Sequence, residues 1–185
     1  MRLLAAALLS AALLTPSLAH AGRFALGVSL GRTQAEVDAD ADLDASSTAG
    51  IWGRVNLGKR FGVDLEYGKV SSEEDATRIR SLSLVGRFTI AELRGGTLRP
   101  MVLVGLGSDE TTYTWDAKDE FTHAELGAAI EFDLARDFVI GLDFRAGDRS
   151  REDGDQPLPV DAARQASWLA DGSYRSGRLY LGIRL

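Results

Sequence analysis

The chain is 185 residues long, 45% hydrophobic and 26% charged, with 27 acidic residues against 21 basic ones and no cysteine. That length suits one domain, and the lack of cysteine excludes disulfides, thiolate metal sites and cysteine nucleophiles. The net charge of −6 argues against a nucleic-acid binder, which would carry a basic stripe.

Residues 1–21 read as a secretory signal peptide. Arg2 supplies the positive start, residues 3–14 form an apolar run of Leu, Ala and one Ser, Pro16 breaks it, and Ala19-His20-Ala21 is an A-x-A cleavage site. The run is too short to span a bilayer, and no later stretch reaches about 18 consecutive apolar residues. Residues 22–185 are therefore expected to form the mature domain without a transmembrane helix.

From there period-two alternation dominates, a strand pattern rather than a helical one. Phe24, Leu26, Val28 and Leu30 alternate with Ala25, Gly27, Ser29 and Gly31. Ile51, Val55 and Leu57 alternate with Trp52, Arg54 and Asn56, and Phe61, Val63, Leu65 and Tyr67 with Gly62, Asp64, Glu66 and Gly68. Leu82, Leu84, Gly86 and Phe88 alternate with Ser83, Val85 and Arg87, and Val102, Val104 and Leu106 with Met101, Leu103, Gly105 and Gly107. The series from Ala124 to Leu134 alternates with His123, Glu125, Gly127, Ala129, Glu131 and Asp133. Phe138, Ile140, Leu142 and Phe144 alternate with Val139, Gly141, Asp143 and Arg145, and Leu179, Leu181, Ile183 and Leu185 with Arg178, Tyr180, Gly182 and Arg184. These make eight strands of about ten residues, long enough to cross a bilayer at a tilt, and an even number as a single-chain bacterial barrel requires. The expected fold is all-β, an eight-stranded antiparallel up-and-down transmembrane β-barrel.

The connections predict which end is which. Turns at 58–60 and 135–137 are short, whereas 34–48, 108–120 and 147–172 are long and polar, the pattern of periplasmic turns and extracellular loops. Two connections fit less well: 71–77 is short for an outer loop and 89–97 long for a turn. With the N-terminus periplasmic, Phe24, Phe61, Phe88, Phe132 and Phe138 fall at the periplasmic level of the apolar face and Tyr67 and Phe144 at the opposite level, as interfacial aromatic belts do. In the first loop Asp38, Asp40, Asp42 and Asp44 are spaced like the opening of a calcium loop. Leu43 stands where the turn glycine belongs and Ala49 where the bidentate Glu belongs, so a solvated acidic loop is expected and no metal. The last loop is acidic again at Glu152, Asp153 and Asp155, and residues 159–169 are expected to form one short helix on the rim.

The second face of the strands predicts the lumen. It carries Arg54, Arg87, Arg99, Arg145, Arg178 and Arg184 against Asp64, Glu66, Glu125, Glu131, Asp133 and Asp143, with mostly Gly, Ala and Ser between them. Balanced charge among small residues suits a narrow interior closed by ion pairs. Arg54, Asp64, Glu66, Glu125, Asp143 and Arg145 are expected in one such network, with Glu66 and Arg54 as a coupled pair.

A cleavable signal, eight strands, the run Arg99-Pro100-Met101-Val102-Leu103-Val104-Gly105-Leu106-Gly107 and the closing Leu179-Tyr180-Leu181-Gly182-Ile183-Arg184-Leu185 resemble the OmpA/OmpX/OmpW-like outer-membrane β-barrel superfamily. The resemblance spans nearly the whole mature chain; the family usually closes on Phe, and this chain closes on Leu185. It implies an outer-membrane location, contact with outer-membrane lipid and lipopolysaccharide, and passage through periplasmic chaperones and the barrel assembly machinery. It also implies a monomer with no cofactor and no nucleic-acid partner. The function expected is non-enzymatic, a side-chain-filled barrel that presents acidic loops outside in a structural or surface-interaction role. One alternative is a lipid A-modifying enzyme, which would need a Ser-His-acid arrangement around His123 and Glu125, with Ser108 and Ser150 as nucleophiles by loop position. The other is a soluble lipocalin-like ligand-binding barrel, for which Gly50-Ile51-Trp52 is the only motif.

Overall fold

A computed structural model describes residues 24–35, 46–71, 78–112, 118–135, 137–151 and 172–185. The signal-peptide segment, the acidic positions 38–44 and 152–155 and the expected helix at 159–169 lie outside the described residues. Eight strands follow in chain order: β1 (Phe24–Ala35), β2 (Ser46–Asn56), β3 (Phe61–Ser71), β4 (Arg78–Thr89), β5 (Leu98–Thr112), β6 (Lys118–Asp133), β7 (Phe138–Arg151) and β8 (Gly172–Arg184). Each pairs antiparallel with its sequence neighbours, and β1 pairs with β8, so the sheet closes into a barrel. Closure leaves no strand edge unpaired, a condition for crossing lipid.

The alternation sorts side chains as the pattern requires. Leu26, Leu30, Ile51, Leu65, Val104, Leu106, Leu126, Phe144 and Leu179 stand exposed on the outside, while Arg54, Asp64, Arg87, Glu131, Asp143 and Arg145 are buried inside. A contiguous apolar exterior of this size belongs against lipid, not water. The lipocalin-like alternative requires the opposite arrangement and is excluded. Phe24, Phe61, Phe88, Phe132 and Phe138 all point outward near the end of the short turns, each 42–49% exposed, and Tyr67 and Phe144 point outward nearer the other end.

The strands are longer than the expected ten residues, running from 11 residues in β2 and β3 to 16 in β6. The extra length lies at the loop end. Residues 108–112 and 118–120, expected in a loop, continue the β5–β6 ladder, with Thr112 opposite Lys118. Outward positions there are Glu110, Lys118, Glu120 and Thr122 rather than Leu or Val. The apolar alternation stops where the lipid stops, whereas backbone pairing does not depend on side-chain polarity.

The long 89–97 connection is also explained. Ile90 N donates to Pro100 O at 2.9 Å and Leu93 N to Leu98 O at 2.9 Å, so the β4–β5 hairpin extends beyond the barrel before it turns. The turn itself passes through Arg94, Gly95 and Gly96 at φ of 51°, 70° and 93°. Glycine at the last two positions removes the steric cost of the left-handed region.

Inside, Ala25, Trp52, Val139 and Tyr180 form one apolar cluster and Val85, Met101, Leu103 and Ala129 another. Trp52 fits because Gly27 and Gly182 face it, and a Cβ at either would collide with its ring. Its indole stands edge-on to Tyr180 at 5.8 Å, and Nε1 donates to the Val28 carbonyl at 3.3 Å.

Candidate functional site

The barrel interior is the site with a constructed chemistry. Its lower half centres on Glu131 of β6. Arg54 Nη1 donates to it at 2.6 Å, Arg99 Nη2 at 2.6 Å and Arg184 Nη2 at 3.4 Å. Arg99 and Arg184 also share Asp133. Arg54 Nε donates to Asp64 Oδ1 at 2.7 Å, because the β2–β3 register sets those two residues opposite each other.

The middle of the lumen is held by Arg87. Its Nε pairs with Asp64, and its Nη2 lies 3.7 Å from Asp143 and 3.9 Å from Glu66. Nη1 donates to the Tyr180 hydroxyl at 3.0 Å, with the guanidinium 4.8 Å from the Tyr180 ring centroid. Above it, Arg145 and Arg178 both grip Glu66 and Asp143, and Arg145 also pairs with Glu125. Tyr174 donates its hydroxyl to Glu125 at 3.2 Å.

The structure therefore brings Arg54, Asp64, Glu66, Glu125, Asp143 and Arg145 into one connected set of six arginines and six carboxylates among the described residues. The expected Glu66–Arg54 pair is corrected. Trp52, not Arg54, stands opposite Glu66 in the ladder, and Arg54 connects to Glu66 indirectly, through Asp64 and Arg87. Asp64 and Asp143 have no solvent exposure. At such depth a charge persists only if it is paired on several sides.

Two cavities flank this waist. One, of about 240 Å³, opens among Arg54, Arg87, Arg99, Glu131 and Arg184 at the turn end. The other, of about 80 Å³, is bounded by Ser83, Asp109, His123, Glu125, Arg145 and Arg149 toward the loop end. They have no lining residue in common; Asp64, Asp143, Leu103 and Tyr180 line neither.

The outer cavity holds a cluster not anticipated from sequence. Ser83 Oγ lies 3.0 Å from His123 Nε2, Asp109 Oδ1 lies 3.3 Å from His123 Nδ1, and Arg149 Nε lies 2.8 Å from Asp109 Oδ2. The expected nucleophiles Ser108 and Ser150 are corrected here: both sit in strands, with Ser108 opposite the outward Leu82 and Ser150 exposed. Strand parity was the usable signal for Ser83 and Asp109, since both share the inward parity of their strands.

A closed eight-stranded barrel with an apolar exterior, a charged interior and aromatic residues near its turn end is an outer-membrane barrel. The chain belongs to the outer membrane protein beta-barrel domain family, whose model matches residues 3–174. No curated protein sequence matches it. Among solved structures it is similar to Neisserial surface protein A, at 9% identity and a TM-score of 0.62 over 90% of this chain and 98% of that one. It is similar to the N-terminal β-barrel domain of Pseudomonas aeruginosa OprF, at 15% identity and a TM-score of 0.58 over 90% and 100%. The outer membrane enzyme PagL matches at 13% identity and a TM-score of 0.52 over 87% and 99%. At these identities the likeness is one of fold. The protein is one of the outer membrane.

Proposed function

We propose that this protein is a closed structural barrel whose lumen serves cohesion rather than passage, and whose loops form a surface for interaction outside the cell. The observation that carries this reading is the charge-balanced network between the two cavities, whose central Asp64 and Asp143 line neither cavity and have no solvent exposure. An eight-stranded barrel has an interior just wide enough for side chains. Here those side chains interlock in ion pairs with formal charges that cancel.

In this reading the short turns face the periplasm and the long connections face outward. The five turn-end phenylalanines would then rest at the periplasmic interface, in contact with lipid. The outer leaflet would place lipopolysaccharide against the upper exterior, and chaperones and the barrel assembly machinery would act only during biogenesis. A closed barrel that satisfies its own edges needs no second copy, which favours a monomer.

The test is single-channel recording of the refolded protein in planar bilayers. The expected result is no steady open conductance; a steady conductance of fixed size overturns the reading. The enzymatic alternative is favoured by one observation, the contact of Ser83, His123 and Asp109. That cluster faces the lumen, away from the acyl chains of the bilayer, which turns the question from lipid modification to another substrate class.

A further inference from the structure

We propose that Ser83, His123 and Asp109 form a nucleophile site for acyl transfer, open to the outer cavity and taking small water-soluble carboxylic esters. This inference does not rest on the structural reading above: a barrel with a closed waist can hold such a site, and failure of either leaves the other standing.

Three neighbouring strands bring the residues to one place. In the ladder Ser83 of β4 is opposite Gly107 of β5, and Gly107 is opposite His123 of β6. Gly107 is what allows the contact, because a Cβ there would collide with the imidazole and with the Leu82 carbonyl. With no side chain between them, the imidazole lies across the β5 backbone and reaches Ser83 Oγ at 3.0 Å. Asp109, two residues along β5 on the same inward face, meets the other ring nitrogen at 3.3 Å.

The polarity of the arrangement follows from the carboxylate. Asp109 beside Nδ1 favours the tautomer protonated there, which leaves the Nε2 lone pair to accept the Ser83 hydroxyl proton. That is the division of roles in a serine nucleophile with its base and orienting acid. The ring is held in place by Tyr174, edge-on at 6.2 Å between centroids, and Tyr174 is in turn covered by the Arg149 guanidinium at 5.0 Å.

The plug does not require this cluster. The arginine–carboxylate set balances without it, and Arg149 already pairs with Asp109. His123 therefore has no charge to neutralise that another residue leaves over. The cavity beside it, about 80 Å³, matches the space of two or three water molecules and so a small acyl group. Backbone N–H groups in a closed barrel are engaged in the ladder, so the developing oxyanion would be met by Arg149, which lines the cavity.

The step balances without a redox partner. Ser83 Oγ bonds to the ester carbonyl carbon as its proton passes to His123 Nε2. The C–O bond to the alcohol breaks, and Nε2 returns the proton to the leaving oxygen. Water then attacks the acyl-serine, its proton travels through Nε2 to Ser83 Oγ, and the carboxylic acid departs.

The test treats the folded protein in detergent micelles with a small dialkyl fluorophosphate and with 4-nitrophenyl acetate, locating any adduct by peptide mass mapping. Folding of every variant is checked by its heat-modifiable gel mobility. The expected result is one phosphoryl adduct on Ser83 and ester turnover in the unheated protein. Ser83→Ala loses both, and Asp109→Asn slows both by about four orders of magnitude, as loss of the orienting acid does in a triad. Ser150→Ala, which alters an exposed serine on the outer face of β7, leaves both unchanged. The proposal is overturned if the folded protein gains no adduct on Ser83, if His123→Gln labels as fast as the parent, or if the boiled protein labels as fast as the folded one.

Discussion

Arg145 grips Glu66 across the lumen with both terminal nitrogens, Nη2 to Oε1 at 2.8 Å and Nη1 to Oε2 at 3.0 Å, so that β7 and β3 are tied by a forked ion pair although they are not neighbours in the sheet. Bidentate pairing of this kind fixes orientation as well as charge.

That fork gives the first expectation. Removing one partner strands a buried charge, at a cost of about 3–5 kcal/mol. A double-mutant cycle on Glu66 and Arg145, read by urea unfolding from lipid vesicles, is expected to show a clear coupling energy. The same cycle on Glu66 and Arg54, which do not touch, is expected to give a much smaller one. Equal coupling in the two cycles would contradict the pairing described.

A second expectation concerns the exterior. Leu65 lies in the middle of β3 and is 50% exposed on the outer face. Leu65→Arg is expected to cost about 2–4 kcal/mol of folding stability in lipid, as an arginine does at the bilayer midplane. Ala49 also faces outward but stands opposite Lys69, near the loop end. Ala49→Arg is expected to cost no more than about 1 kcal/mol, as near an interface. Equal costs in vesicle unfolding would place the two residues at one depth.

A third expectation separates two glycines of the barrel wall. A Cβ at Gly27 would strike the Leu181 carbonyl and the Trp52 ring, whereas at Gly53 its nearest neighbour is the Leu26 side chain at 3.3 Å. Gly27→Ala is expected to lose about 1–3 kcal/mol by overpacking, and Gly53→Ala to remain near the parent. The readout is the temperature at which each variant loses its compact gel mobility.

The closed ladder supports a fourth. Unheated and boiled samples are expected to migrate differently on detergent gels, because every strand edge is paired and detergent alone does not open the ring. Identical mobility after refolding would mean that the seam between β1 and β8 does not form.

The faces of the strands were legible in sequence because alternation has a period of two and the lipid demands Leu, Val and Phe on one side only. All twelve charges of the interior network could be picked out by parity. Their partners could not, since parity gives a face but neither depth nor azimuth. Glu66 and Arg145 are 79 residues apart and meet only because the barrel is narrow. The strand ends were hidden for another reason: Ser108, Glu110 and Lys118 look like loop residues, yet the ladder runs through them. Ser83 carries no such mark in the sequence, because its contact with His123 depends on the register of three strands and on the missing side chain of Gly107.

The pairing of Phe24–Ala35 with Gly172–Arg184 sets the order of assembly. Every other ladder joins strands adjacent in the chain, so seven hairpin contacts can zip locally as the segments meet. The seam alone joins segments separated by nearly the whole domain, and its loop-closure entropy is the largest of the eight. Until it forms, the arginines and carboxylates of the waist have only some of their partners, and β1 and β8 are bare edges in a medium that does not tolerate them. Sealing the ring and neutralising its interior are thus one event, and a half-built barrel is not a stable resting place in the membrane.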